Sequence, residues 1–162
     1  MLAKAIQAPV RHTCFGRVVS LSAGILGTDM ARILVIEDEA PIRANLLRFI
    51  RLEGHEGIGA ANGQQGLQAA LDSQPALILC DIMMSPLNGM AVLATLQRHT
   101  ALQHIPFIFL SASAEPERLE EALRSGASGY LTKPFNFAQL RAVLQQYLPP
   151  RPLDNLTAWP AS

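Results

Sequence analysis

Leu77-Ile78-Leu79-Cys80 is an unbroken apolar run that stops at a carboxylate, Asp81. An apolar run this short, with no polar residue to turn toward water, reads as a strand buried on both faces. That is the situation of a strand in a parallel sheet with helices above and below. In open α/β sheets ligands bind at the C-terminal edge of the strands, and Asp81 falls at that edge. The rest of the chain is read as the frame that holds, charges and reads Asp81.

The remaining sequence supplies the alternation such a sheet needs. Arg32-Ile33-Leu34-Val35-Ile36 reads as a strand cut short by Glu37-Asp38-Glu39. Pro41 suits the first turn of a helix, and Ile42, Leu46, Phe49 and Ile50 recur at helical spacing up to Gly54. His55 to Ala61 is a weak strand, diluted by Gly57 and Gly59, which make no dinucleotide fingerprint because position 62 is Asn. Asn62-Gly63 predicts a turn, and Gly66 to Ser73 a short helix with Leu67, Ala70 and Leu71 inward. After the central strand, Ser85, Pro86 and Asn88-Gly89 mark a loop, and Met90 to Arg98 a helix burying Met90, Leu93 and Leu96. Pro106 to Leu110 is a further strand with Ser111 at its end, and Pro116 to Ser125 an amphipathic helix closed by Gly126. Gly129 to Thr132 is a short strand that ends at Lys133-Pro134. Asn136 can cap the last helix with Gln139 three residues on, and Phe137, Leu140, Leu144 and Leu148 form its inner stripe until Pro149-Pro150. Five strand–helix units joined by right-handed crossovers predict an α/β fold, a doubly wound five-stranded parallel sheet.

The flanks differ. Residues 1–29 carry Lys4, Arg11 and Arg17 and no acid before Asp29, and the run Val18 to Leu26 is only mildly apolar, a poor targeting signal. Met30 stands directly before the first strand, so residues 1–29 are expected to be an extension or a non-native start, 30–148 the domain, and 149–162 a tail. The formal net charge of zero gives no electrostatic case for nucleic acid or membrane, and no apolar run is long enough to span a bilayer. Cys14 and Cys80 lie far apart and read as unbridged thiols of a reducing cytoplasm. Met83, Met84 and Met90 are expected to pack rather than bind a soft metal, and His12, His55, His99 and His104 to be surface or structural.

The polar punctuation converges. Glu37 and Asp38 follow the first strand, Asp81 ends the third, Ser111 the fourth and Lys133 the fifth. Parallel strands bring all these ends to one edge. Three acids together repel one another, and a hard divalent cation such as Mg²⁺ would relieve that. Lys133 is a point charge suited to a phosphoryl oxygen, and Ser111 a hydroxyl donor. Carboxylate, metal, ammonium and hydroxyl are the components of phosphoryl transfer onto an aspartate.

Residues 30 to about 148 resemble the receiver domain of two-component response regulators. The segments that carry the resemblance are Ile33 to Glu39, Asp81-Ile82-Met83-Met84 with Gly89, Ser111-Ala112, and Gly126-Ala127-Ser128-Gly129-Tyr130-Leu131-Thr132-Lys133-Pro134-Phe135. The resemblance implies a flavodoxin-like strand order, 2-1-3-4-5. It implies Asp81 as phosphoacceptor, Glu37 and Asp38 as the acidic pair that helps hold Mg²⁺, and Met83 as the source of a backbone carbonyl ligand. Lys133 becomes the lysine that contacts the phosphoryl group, with a cis bond to Pro134. Ser111 and Tyr130 become a switch pair, in which the hydroxyl moves to the phosphoryl group and the ring turns inward. The implied partners are a sensor histidine kinase or a histidine phosphotransfer protein, and a downstream protein target. The implied role is a bacterial-type phosphoacceptor in the cytoplasm that catalyses only its own phosphorylation and dephosphorylation.

Three positions tune this expectation. Ser85 stands where the family usually has proline, with Pro86 one later. Met83 and Ser113 are neither acidic nor amide-bearing, so slow loss of the phosphoryl group is expected. The last helix lacks the acid usual in regulators that pair through their fourth and fifth helices, which argues against that dimer. No output domain fits after residue 148, so a stand-alone receiver acting by protein docking is expected, with intermediate carriage in a phosphorelay as the alternative. An aspartyl-phosphate phosphatase would need an acid where Met83 stands, and a flavin carrier a phosphate-cradling loop where Glu37-Asp38-Glu39 stands.

Overall fold

The structure, a computed structural model, describes residues 30–112 and 116–149. The expected extension over 1–29, the tail from 150 onward, Cys14, His12 and Ser113 lie outside the described residues.

Among the described residues ten elements alternate: β1 (Arg32–Ile36), α1 (Ala40–Leu52), β2 (Glu56–Ala60), α2 (Gly63–Ser73), β3 (Leu77–Asp81), α3 (Gly89–Gln97), β4 (Phe107–Ser111), α4 (Pro116–Arg124), β5 (Gly129–Thr132) and α5 (Phe137–Tyr147). The sheet is parallel throughout with order β2-β1-β3-β4-β5. This is the flavodoxin-like order that the family resemblance implied.

The apolar runs are divided between two cores by the pleat. Leu34, Ile36, Ile78, Cys80, Phe107 and Phe109 face one layer, packed with residues of α2, α3 and α4. Ile33, Val35, Leu77, Leu79, Ile108 and Leu110 face the other, packed with α1 and α5. Successive residues of a strand point to opposite faces, so a sheet covered on both sides needs continuous apolar strands rather than alternating ones.

The helix ends explain where the sequence reading slipped. Asn62-Gly63, predicted as a turn, is the N-cap and first residue of α2; the Asn62 side chain accepts from Gln65 N at 2.9 Å, so the helix starts three residues earlier than expected. Leu71 faces solvent instead of the core, and Gly63, Gly66 and Ala70 are the buried face of α2. The helix sits so close to β1 that a Cβ on Gly66 would overlap Ile36 Cδ1. Phe137 is also exposed rather than part of an inner stripe; its ring stacks on Phe49 at 4.9 Å, and Val143 takes the inward place beside Leu140 and Leu144. Asn136 and Gln139 form the expected capping box. Of the three methionines expected to pack, Met84 is buried and Met90 lies against the core, but Met83 is 65% exposed. His55 is buried, while His99 and His104 are exposed. Cys80 is an unbridged buried thiol.

Among the described residues one without a glycine's freedom, Gln74, has a positive φ. Gln74 closes α2 at φ 45°, ψ 66°. The left-handed region costs a side chain with a Cβ about 1 kcal/mol, and glycine loses part of that gain to its freer unfolded chain. Gln74→Gly is therefore expected to raise stability by about 0.5 kcal/mol in urea denaturation; a less stable variant would show that the Gln74 side chain contributes more than its backbone costs.

Candidate functional site

The C-terminal edge of the sheet gathers the charges. Glu37 follows β1 directly, its N–H bonded to Ala60 O at 3.0 Å, and it is fully buried. Asp81 is the last residue of β3 and 5% exposed, and Asp38 is exposed. One carboxylate oxygen from each of Glu37, Asp38 and Asp81 can be chosen so that all lie within 4.8 Å of one another. An octahedral Mg²⁺ holds its oxygens at about 2.1 Å and hence about 3–4 Å apart, so a set of hard oxygen donors this close fits such an ion.

Lys133 reaches the same point from the loop after β5. Its Nζ donates to Glu37 Oε2 at 2.8 Å and to Asp81 Oδ2 at 3.3 Å. Lys133 arrives there because its N–H bonds Ser111 O at 2.7 Å, in continuation of the β4–β5 ladder, before the cis Lys133–Pro134 bond turns the chain. Main-chain groups complete the frame. Met83 N donates to Asp81 Oδ1 at 3.2 Å, and Glu39 N to Glu37 Oε1 at 3.2 Å. The loop after β3 closes on itself through Gly89 N to Ile82 O at 3.0 Å, with a second cis bond at Ser85–Pro86.

The electrostatics follow from burial. Desolvation pushes the Glu37 carboxyl up, the bond and charge of Lys133 pull it down and the nearby Asp81 charge adds to the rise; the balance is upward from its ordinary value. Burial alone would lower Lys133, but its bond to Glu37 and the Asp81 and Glu37 charges more than offset this and raise it. The two carboxylates thus favour the charged ammonium. Burial, with Asp81 and Glu37 nearby, pushes the Cys80 thiol well above its ordinary range, so it is not a nucleophile of this site.

Of the residues singled out in the sequence, Glu37, Asp38, Asp81 and Lys133 converge. Ser111 lies on the same edge, buried, one residue beyond Leu110, the register partner of Asp81. Tyr130 sits lower in β5, opposite Phe109, and its side chain is 37% exposed rather than inward. Met83 contributes its N–H to Asp81 while its side chain faces solvent. Sequence reasoning passed over Arg43, whose Nη1 donates to the carbonyl of Glu37 at 2.6 Å. The available signal was a cation in the first turn of a helix, where the dipole disfavours it.

Comparison with known proteins gives a consistent result. The family model described as response regulator receiver domain matches residues 33–145. The phosphate regulon transcriptional regulatory protein PhoB of Pseudomonas aeruginosa is 36% identical over 118 residues, covering 70% of this chain and 52% of that protein. The regulatory protein AtoC of Escherichia coli is 36% identical over 121 residues, covering 75% of this chain and 26% of that protein. The match thus spans about half, or less, of these curated relatives. The solved structure of the chemotaxis protein CheY4 of Vibrio cholerae aligns with a TM-score of 0.70 at 28% identity, covering 74% of this chain and 99% of that one. Among the described residues no helix is long and apolar enough to cross a membrane.

Proposed function

The chain belongs to the response regulator receiver domain family, and from that premise we propose that it accepts a phosphoryl group on Asp81 and uses it to switch a protein-docking surface. The observation that carries the reading is the meeting of three carboxylates within 4.8 Å with one ammonium bonded to two of them. A carboxylate in that setting is a nucleophile whose charge is held in place and whose repulsion from an incoming phosphoryl group is reduced.

Asp81 attacks phosphorus in line with the donor's leaving group. The new bond is from a carboxylate oxygen to phosphorus, and the electron pair of the broken bond leaves with the donor, an imidazole when the donor is a phosphohistidine. Lys133 exchanges part of its contact with Glu37 and Asp81 for a phosphoryl oxygen, which spreads the transferred charge. Ser111 offers a hydroxyl from the end of β4, and Tyr130 is the aromatic member of the switch, outward in the structure described here. Glu37, Asp38 and Asp81, with the Met83 carbonyl, would hold Mg²⁺, which when bound supplies further charge neutralisation at the phosphoryl oxygens. The donor is a sensor histidine kinase or a phosphotransfer protein, and the reader a protein target in the cytoplasm.

The test is intact mass after incubation with acetyl phosphate, with and without Mg²⁺, on the wild type and Asp81→Asn. One phosphoryl adduct that needs Mg²⁺ and vanishes in the variant is expected. An adduct that survives in Asp81→Asn would place the acceptor elsewhere, and no adduct in the wild type would leave docking without phosphorylation as the function.

A further inference from the structure

Arg43 has no part in the chemistry above, yet it holds the acidic turn from behind. Its Nη1 donates to the Glu37 carbonyl at 2.6 Å and reaches the Asp38 carbonyl at 3.4 Å. Its own N–H makes the first α1 bond, to Glu39 O at 3.0 Å, so both ends of the residue are tied to the segment 37–39. The stem of Arg43 lies over β2 at Gly59, where an added Cβ would come within 3.4 Å of Arg43 Cδ and 3.7 Å of Cγ. These are ordinary van der Waals distances, and the closest neighbour of such a Cβ is Leu47 Cδ1 at 2.9 Å.

The placement works against the helix dipole and against a bound Mg²⁺, although the acids themselves attract the guanidinium. The first turn of a helix repels a cation, and a cluster of acids suited to Mg²⁺ would be better served without a neighbouring positive charge. What the guanidinium gains in return is two main-chain carbonyls of the residues that carry the acids. We propose that Arg43 is a positioning residue: it fixes the main chain at 37–38 so that the Glu37 and Asp38 carboxylates converge on Asp81. This rests on the reading that those acids hold Mg²⁺. A role as bare charge and a role in positioning predict opposite signs. If Arg43 acted only as a charge, its removal would tighten Mg²⁺ binding; if it positions the turn, removal weakens binding.

The test is calorimetric titration of Mg²⁺ into the wild type, Arg43→Met, Arg43→Lys and Asp81→Asn, with thermal unfolding of each in EDTA. Groups that orient metal ligands typically contribute about 10- to 100-fold in affinity, so Arg43→Met is expected to bind Mg²⁺ about tenfold more weakly or worse. Arg43→Lys keeps the charge, but its shorter side chain ends before the position of Nη1 that meets both carbonyls, and it should fall between the two. Unchanged or tighter binding by Arg43→Met overturns the proposal. Should that variant fail to fold in EDTA, Arg43→Lys decides, and wild-type affinity there overturns it. A wild type that binds no Mg²⁺, like Asp81→Asn, overturns the metal reading and this proposal with it.

Discussion

Lys133→Met is expected to cost about 3 kcal/mol of stability at neutral pH in metal-free buffer, and the deficit should shrink as the pH is lowered. Lys133 bridges Glu37 and Asp81, and the Glu37 side chain is entirely inaccessible. Removing one partner of a buried pair leaves an uncompensated charge, which costs far more than a surface pair is worth. Glu37 limits the cost by taking up a proton. Its carboxyl is already raised by burial, and the variant removes the Lys133 bond and charge that hold it down. A carboxyl raised in the folded state binds more protons there than in the unfolded chain. Its contribution is therefore fully present below the ordinary carboxylate range and lost as pH rises through the folded value. Urea denaturation of both proteins in EDTA from about pH 5 to about pH 8 reads this directly, the gap widening with pH. A constant gap below about 1 kcal/mol would mark the bridge as no better than a surface pair. Phosphorylation of the variant by acetyl phosphate should fall on the order of a hundredfold, the usual effect of losing one group aimed at developing charge.

Gly89→Ala is expected to destabilise by about 3 kcal/mol, the upper end for adding one methyl to a packed site. A Cβ at Gly89 would overlap the Asp81 carbonyl oxygen and come within 3.0 Å of Phe109 Cε1 and 3.1 Å of Ile82 Cα. Two of those three neighbours are main-chain atoms of β3 or the residue after it. Relief therefore requires moving the backbone that aims Asp81. Gly57→Ala is the control. Its closest neighbour is Leu47 Cδ2 at 2.8 Å, the tip of a side chain that can rotate, so a cost below about 1 kcal/mol is expected there. Equal costs in the two variants would mean the loop after β3 yields as easily as a leucine rotamer. Phosphorylation should slow in Gly89→Ala and not in Gly57→Ala.

The central elements were legible because burial on both faces leaves no polar residue in the strands: Ile33–Ile36, Leu77–Cys80 and Phe107–Leu110 could be read as strands without knowing their neighbours. Most of the site was legible for the same reason, since Glu37, Asp81 and Ser111 are the residues at which those runs stop, while Lys133 follows the shorter, less buried β5. What failed was decided by tertiary contact. Leu71 and Phe137 have the right spacing for burial, but α2 presents its glycines to the sheet and Phe137 lies on Phe49 beyond the core. Asn62 is as good a cap as a turn residue, and the choice depends on whether the following helix packs. Arg43 left only a weak trace, because a side chain that works by bonding carbonyls has no sequence pattern of its own.

Glu37 and Lys133, joined at 2.8 Å, stand 96 residues apart in the chain. Closing a loop of that length costs roughly 4 kcal/mol in chain entropy, which no single ion pair returns. The bridge can form only after the crossovers between have shortened the path, with β5 laid on β4 as the last parallel pairing. On the ribosome Lys133 emerges after all three acids, close to the end of the described fold. A nascent chain would thus carry the three acids of the pocket without the ammonium that steadies them, and competence to take up a phosphoryl group would arrive only with the last strand of the sheet.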